Sequence, residues 1–185
     1  MTKDSDDRML EIFNEKAVLH GDFTLTSGLK TSYYFDGRMM TLWPEGAYLI
    51  GKRIFRMLVE AGADAVGGMT LGADPIASAV AVVSHLEGRP IPAFIVRGEA
   101  KVHGTQKRIE GPLKAGMRVA IVDDVITTGG SVLRSIEAAE AGGCKVVKVV
   151  VLLDRQQGGA DEIRRKGYDF SAILTADPSG EVRLV

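Results

Sequence analysis

The feature that most limits how this chain can fold is a series of short runs that are apolar nearly throughout, not on alternate positions. "ADAVGGM", "IPAFIVR", "MRVAIVDD", "KVVKVVVLLD" and "YDFSAIL" are runs of this kind, and a strand that is apolar on both faces has to be covered on both. Between them stand the amphipathic segments "PIASAVAVVSHLEG" and "GSVLRSIEAAEAGG", and a shorter one, "GADEIRRKG". This alternation predicts an α/β fold with a central parallel sheet flanked by helices. With 185 residues, 45% of them hydrophobic, the chain can bury the core such a sheet needs and is read as one domain.

Ahead of the alternation, Ser5 suits an N-cap for a first helix with Met9, Leu10, Ile12, Phe13 and Ala17 at helical spacing and a break at His20 and Gly21. "GDFTLTSGLKTSYYFDGR" mixes aromatics with glycine and hydroxyls and predicts short strands and turns. Pro44 suits the first turn of a long helix carrying Leu49, Ile50, Ile54, Phe55, Leu58 and Val59 on one face, with Gly62 as its stop. The longest irregular stretch, residues 98–116, is long enough to predict a functional mobile loop.

Charge narrows the partners. Lysine and arginine total 23 against 24 aspartates and glutamates, a net charge of −1, so no global basic field attracts nucleic acid or an anionic membrane and any anion site is local. A single cysteine, Cys144, cannot form an internal disulfide and fits a reducing compartment. The acidic N-terminus lacks the pattern of a secretory signal, and no run approaches the roughly 20 apolar residues of a membrane span, so a soluble cytoplasmic protein is expected.

In parallel sheets, ligands bind beyond the carboxyl ends of the strands, which directs attention to residues 69–75, 97–104, 123–131 and 154–159. The third of these belongs to "VAIVDDVITTGGS", residues 119–131. Thr127, Thr128 and Ser131 offer hydroxyls, Gly129 and Gly130 let the backbone approach a ligand, and a helix begins at once, so its free N–H groups converge. That makes a phosphate cradle, although neither GxxxxGK[ST] nor GxGxxG is present. Asp123 and Asp124 beside it make sense if the ligand carries a sugar, because carboxylates accept hydrogen bonds from vicinal ribose hydroxyls, and a divalent ion could bridge hydroxyls and pyrophosphate. The alternative is a hydroxyl-rich helix N-terminus with two solvated acids.

Those residues resemble the signature of the type I phosphoribosyltransferases, which use phosphoribosyl pyrophosphate (PRPP), and nearly the whole chain resembles the orotate phosphoribosyltransferase branch. The resemblance implies the type I phosphoribosyltransferase fold, with a small N-terminal hood contributed mainly by residues 1–42 and a PRPP-binding core over 43–185. It implies PRPP contacts from Asp123, Asp124, Val125, Ile126, Thr127, Thr128, Gly129, Gly130 and Ser131. "FTLTSGLKTSYYFD" is similar to the family's hood motif and sets Tyr34 and Phe35 as orotate contacts, although strand alternation lets only one of the two face a given side. "LLDRQQGG" sets Arg155 where the family binds orotate, with Thr127 touching it too. "RGEAKVHGTQKRIEG" resembles the mobile catalytic loop and implies that Arg97, Lys101 and His103 contact pyrophosphate, with Lys101, His103, Asp123 and Asp124 as the catalytic set.

The chain departs from the family at Thr26, where many members have lysine, at Gly98, where lysine usually follows Arg97, at Val102, where an acidic residue is common, and in "MTLGADP", which lacks the lysine of several members. The resemblance implies transfer of the phosphoribosyl group from PRPP to orotate with Mg2+, in a homodimer whose active sites are shared across the interface. A phosphoribosyltransferase for another nucleobase and a non-catalytic PRPP-sensing regulator are the alternatives. Tyr34, Phe35 and Arg155 argue against the first. Lys101, His103 and the shortness of the segment before the core argue against the second.

Overall fold

Helix α1 (Lys3–Lys16) buries Met9, Ile12 and Phe13 completely. It starts before Ser5, which therefore lies inside the first turn instead of capping it; Asp4 and Asp6 share that turn, where carboxylates suit the positive end of the helix. The computed structural model describes residues 3–24, 30–98 and 108–185.

The expected break at His20 and Gly21 comes earlier, because both lie within strand β1 (Val18–Thr24), which pairs antiparallel with β2 (Lys30–Phe35) across a register shift between His20 and Phe23. A single turn, α2 (Arg38–Thr41), which the sequence pattern does not predict, leads into the long helix α3 (Pro44–Ala61). Pro44 begins α3 as expected, and Gly62, at φ 64, takes the left-handed C-cap that a residue with a side chain adopts only at a cost.

After α3 come β3 (Ala65–Met69), α4 (Ala73–Leu86), β4 (Ala93–Val96), β5 (Ile109–Glu110), β6 (Arg118–Ile126), α5 (Gly130–Ala141), β7 (Lys145–Asp154), α6 (Gly159–Arg165), β8 (Phe170–Ala176) and β9 (Val182–Leu184). The sheet runs β5-β4-β3-β6-β7-β8-β9. Its five central strands are parallel, and the short edge strands β5 and β9 are antiparallel to their neighbours. Strand β5 lies inside the stretch expected to be loop; two residues are too few to carry an alternation.

Burial on both faces explains the uninterrupted apolar runs. Ala120, Val122, Val150 and Leu152 point into a core shared with α1, α3 and α4. Val119, Ile121, Val149 and Val151 point the other way, against Val132 and Ile136 of α5 and Ile163 of α6. Each two-faced strand thus closes two layers at once.

The strand order also places the site. From β3 the chain moves outward to β4 and then returns to β6 on the opposite side of β3. Connections leaving the carboxyl ends of β3 and β6 therefore diverge and leave the crevice where open α/β sheets bind ligands.

Candidate active site

Asp123 and Asp124 stand near the end of β6, beside that crevice. Asp123 is only 5% exposed. Its Oδ2 accepts a hydrogen bond from the Ser131 hydroxyl at 2.7 Å, and its Oδ1 accepts one from the Asp124 N–H at 3.0 Å. The Val125 N–H donates to Asp124 Oδ1 at 2.9 Å. Burial pushes the Asp123 carboxyl up to about 7, with the Ser131 hydrogen bond opposing and the charge of Asp124 adding to the rise. Burial also raises Asp124, against the pull of the Val125 N–H and of the Arg38 charge. A pair of partly desolvated carboxylates short of positive charge is an arrangement that a cation relieves.

Two glycines make room for the pair. A side chain at Gly72, in the β3–α4 turn, would put its Cβ 2.6 Å from Asp123 Oδ1 and against Asp124 Oδ1. At Gly37 it would come within 2.9 Å of Asp124 Cβ. The backbone of two separate segments is thereby packed against the acids.

The loop after β6 is fixed from behind. The Gly159 N–H donates to the Thr127 carbonyl at 2.9 Å, and the Arg155 N–H donates to the Ile126 carbonyl at 3.1 Å, so the β6–α5 and β7–α6 connections are tied together. Gly129, at φ 85, turns the chain into α5, and no side chain caps that helix. The N–H groups of its first turn are left to a ligand, with Thr127, Thr128 and Ser131 alongside. Ile126 itself is a core side chain, 1% exposed, so only its backbone can serve the loop.

A cavity of about 820 Å³ opens over this end of the sheet, lined by Tyr34, Phe35, Asp124, Val125, Thr127 and Arg155 among the residues singled out from the sequence. Strand alternation separates the aromatic pair. Tyr34 is 39% exposed and packs on Phe23 with ring centroids 5.7 Å apart, whereas Phe35 is 4% exposed and packs on Phe13 and Tyr33. The Arg155 guanidinium lies over the Phe35 ring, 5.4 Å from its centroid. Phe35 therefore supports Arg155 from below.

Arg97 is not among the cavity-lining residues. Its Nη1 lies 3.6 Å from Glu110 Oε1, and its N–H donates to the Arg108 carbonyl across the sheet edge. Lys101, His103, Val102 and Thr26 lie outside the described residues. Among the described residues no cluster of three or more His, Cys, Asp or Glu side chains is arranged to hold a metal by itself, so a divalent ion here would need ligands from a substrate.

Sequence reasoning assigned no role to Leu19, Phe23, Asp36 and Arg38, which line the cavity, whereas Leu71 and Gly72, also in the lining, lie in the stretch 69–75 to which the strand ends pointed. The available signal was "DGR" directly after the aromatic pair. Asp36 Oδ1 accepts from Arg38 Nε at 2.8 Å and from the Arg38 N–H at 3.1 Å, and Asp36 Oδ2 accepts from Nη2 at 3.0 Å.

Comparison with known proteins agrees with this architecture. The family model described as "Phosphoribosyl transferase domain" matches residues 60–171. The chain is 47% identical to an orotate phosphoribosyltransferase from a Nostoc species over 91% of its own length and 82% of that relative's. Among solved structures, Mycobacterium tuberculosis orotate phosphoribosyltransferase in complex with Fe(III) dicitrate superposes with a TM-score of 0.84 at 39% identity, covering 92% of this chain and 96% of that one. The same enzyme in complex with PRPP superposes with a TM-score of 0.79 at 36% identity, with the same coverage.

Proposed function

The chain belongs to the orotate phosphoribosyltransferase family, and from that premise we propose that it transfers the 5-phosphoribosyl group of PRPP to orotate, giving orotidine 5′-monophosphate and pyrophosphate in pyrimidine biosynthesis. The observation that carries this is the cavity of about 820 Å³ at the β3–β6 crevice. Asp124 and Thr127 line its sugar-phosphate side, and Tyr34 and Arg155 its base side.

The 5′-phosphate sits on the amides and hydroxyls of residues 127–131, as an anion does at a helix N-terminus. Asp124, with Asp123 behind it, accepts from the ribose hydroxyls. The Arg155 fork pairs with the orotate carboxylate, held in plane by Phe35, and Tyr34 packs on the ring. The sugar C1–O bond breaks with its electron pair leaving on pyrophosphate, the N1–C1 bond forms on the opposite face, and N1 gives up its proton. The carboxylates offset the positive charge growing on the sugar, and Lys101 and His103 stabilise the leaving group. Part of the functional mobile loop expected over residues 98–116, namely residues 99–107, lies outside the described residues.

The two acids fit Mg2+, which takes hard oxygen ligands and is commonly held by one or two carboxylates together with substrate phosphates. Asp124, backed by Asp123, would hold it, and when bound the ion supplies positive charge at the pyrophosphate.

Residues 1–42 act as the hood over a core of 43–185, in a cytoplasmic homodimer whose active sites are shared across the interface. Among the described residues no helix is long and apolar enough to cross a membrane. Support for the dimer comes from Met39, Leu42, Trp43 and Leu71, which are 45–69% exposed and border a groove of about 650 Å³ beside the site.

The test is turnover by purified protein with Mg2+, PRPP and orotate, followed as loss of orotate absorbance, with adenine, hypoxanthine and uracil as controls. Orotate alone is expected to be consumed. Turnover of a purine without orotate would overturn the assignment.

A further inference from the structure

Among the described residues, the pyrophosphate end of the site is short of positive charge. The β3–α4 turn, residues 69–75, contains no basic side chain, and position 98 is glycine. Nor can the turn easily gain a cation at position 72, because any Cβ there runs into both Asp123 and Asp124. Arg97 is engaged with Glu110 at the sheet edge. Facing this region are the carboxylates of Asp36, Asp74 and Asp124, a setting hostile to a polyanion unless cations intervene.

Among the described residues, one basic side chain stands beside them. Arg38 lines the main cavity together with Leu71, Gly72 and Asp124, and it also lines the adjoining groove together with Leu71 and Asp74. Among the described residues it is thus the only basic one common to both linings. Its position is set from two sides. Asp36 grips Nε, Nη2 and the backbone N–H, and Gly37, the residue before it, packs against Asp124. Among the described residues the Nη1 edge of the guanidinium has no hydrogen-bond acceptor, and the side chain is 44% exposed. The charges of Asp36 and Asp124 both hold the guanidinium in its protonated form.

We propose that Arg38 is a substrate-binding residue whose free guanidinium edge pairs with the pyrophosphate of PRPP, supplying from the start of α2 the charge that positions 72 and 98 lack. Asp36 acts as its positioning residue: a fork held on one edge presents the other without a large loss of side-chain freedom. This role rests on PRPP being the substrate.

Steady-state kinetics with Mg2+, combined with calorimetric titration of PRPP and of ribose 5-phosphate, tests it in Arg38→Gln and Arg38→Lys. Losing a hydrogen bond to a charged group predicts that Arg38→Gln raises the KM for PRPP roughly tenfold or more and weakens product inhibition by pyrophosphate in parallel. Arg38→Lys should fall between that variant and wild type. The KM for orotate and the affinity for ribose 5-phosphate, which lacks the pyrophosphate, should stay within about twofold in Arg38→Gln, since neither meets the altered edge. An unchanged KM for PRPP overturns the assignment, and so does an equal loss of ribose 5-phosphate binding, which would mark Arg38 as structural. Wild-type protein that binds no PRPP would overturn the phosphoribosyltransferase reaction itself, whereas wild type and Arg38→Gln binding it equally well overturn the role of Arg38 alone.

Discussion

The two sides of the cavity are built in opposite ways. The proposed sugar-phosphate side comes from one continuous stretch, residues 119–131, in which strand, acids, loop and helix start follow one another and are cross-tied by Ser131 to Asp123 and by Gly159 to Thr127. The base side is assembled from separated pieces: Leu19 and Phe23 on β1, Tyr34 and Phe35 on β2, and Arg155 after β7. A contiguous site is fixed once its own strand and helix pack. An assembled site depends on how the β1–β2 hairpin meets the sheet, so its geometry can vary while the phosphoribosyl side stays constant.

The largest effect is expected where neither side dominates, at the leaving group. Lys101→Ala should lower kcat by about 100-fold or more with Tm unchanged, as loss of one charge-stabilising donor does elsewhere. An unchanged kcat would show that the pyrophosphate departs without Lys101.

Next comes the acid pair. Asp123 has a native value of about 7 against an ordinary 3.8, so the folded protein holds a proton that the unfolded chain has already lost. Stability contributed at this site is present below about pH 4, falls as pH rises toward 7, and stays low above it. Asp123→Asn should therefore raise Tm by about 3 °C or more at pH 8 and much less at pH 5, as read by calorimetry. The wild-type kcat/KM for PRPP should climb between pH 6 and pH 8 as Asp123 ionises, and that climb should vanish in Asp123→Asn. A Tm gain independent of pH would mean that packing, not charge burial, sets the effect.

A smaller effect concerns the apolar border. Leu42→Asp places a charge on a 69% exposed side chain, so the monomer should keep its Tm within about a degree, as surface substitutions do. Sedimentation should then show dissociation. A dimer that persists would move the interface elsewhere.

How much the sequence revealed follows the same division. The two-faced strands and "VAIVDDVITTGGS" are local patterns, and each is found where its spacing indicates. Boundaries set by weak local preferences shifted: α1 begins ahead of Ser5, and His20 and Gly21 lie within β1. Strands β5 and β9 escaped notice because they exist only by pairing with an edge already formed. Tyr34 and Phe35 were legible as a pair, but their separation into one exposed and one buried ring needed the strand's orientation. Arg38 was missed because what sets it apart is a cavity lining shared with Asp124 and Leu71, which are distant in sequence.

The most direct test of the two-sided site is a pair of KM measurements. Arg155→Ala removes the base-side fork and should raise the KM for orotate roughly tenfold or more, with the KM for PRPP changed by less than about twofold. Thr128→Ala removes one phosphate-side hydroxyl and should do the reverse, raising the KM for PRPP by about threefold to tenfold and sparing orotate. If both variants weaken both substrates equally, the cavity does not have two separable sides and the account fails.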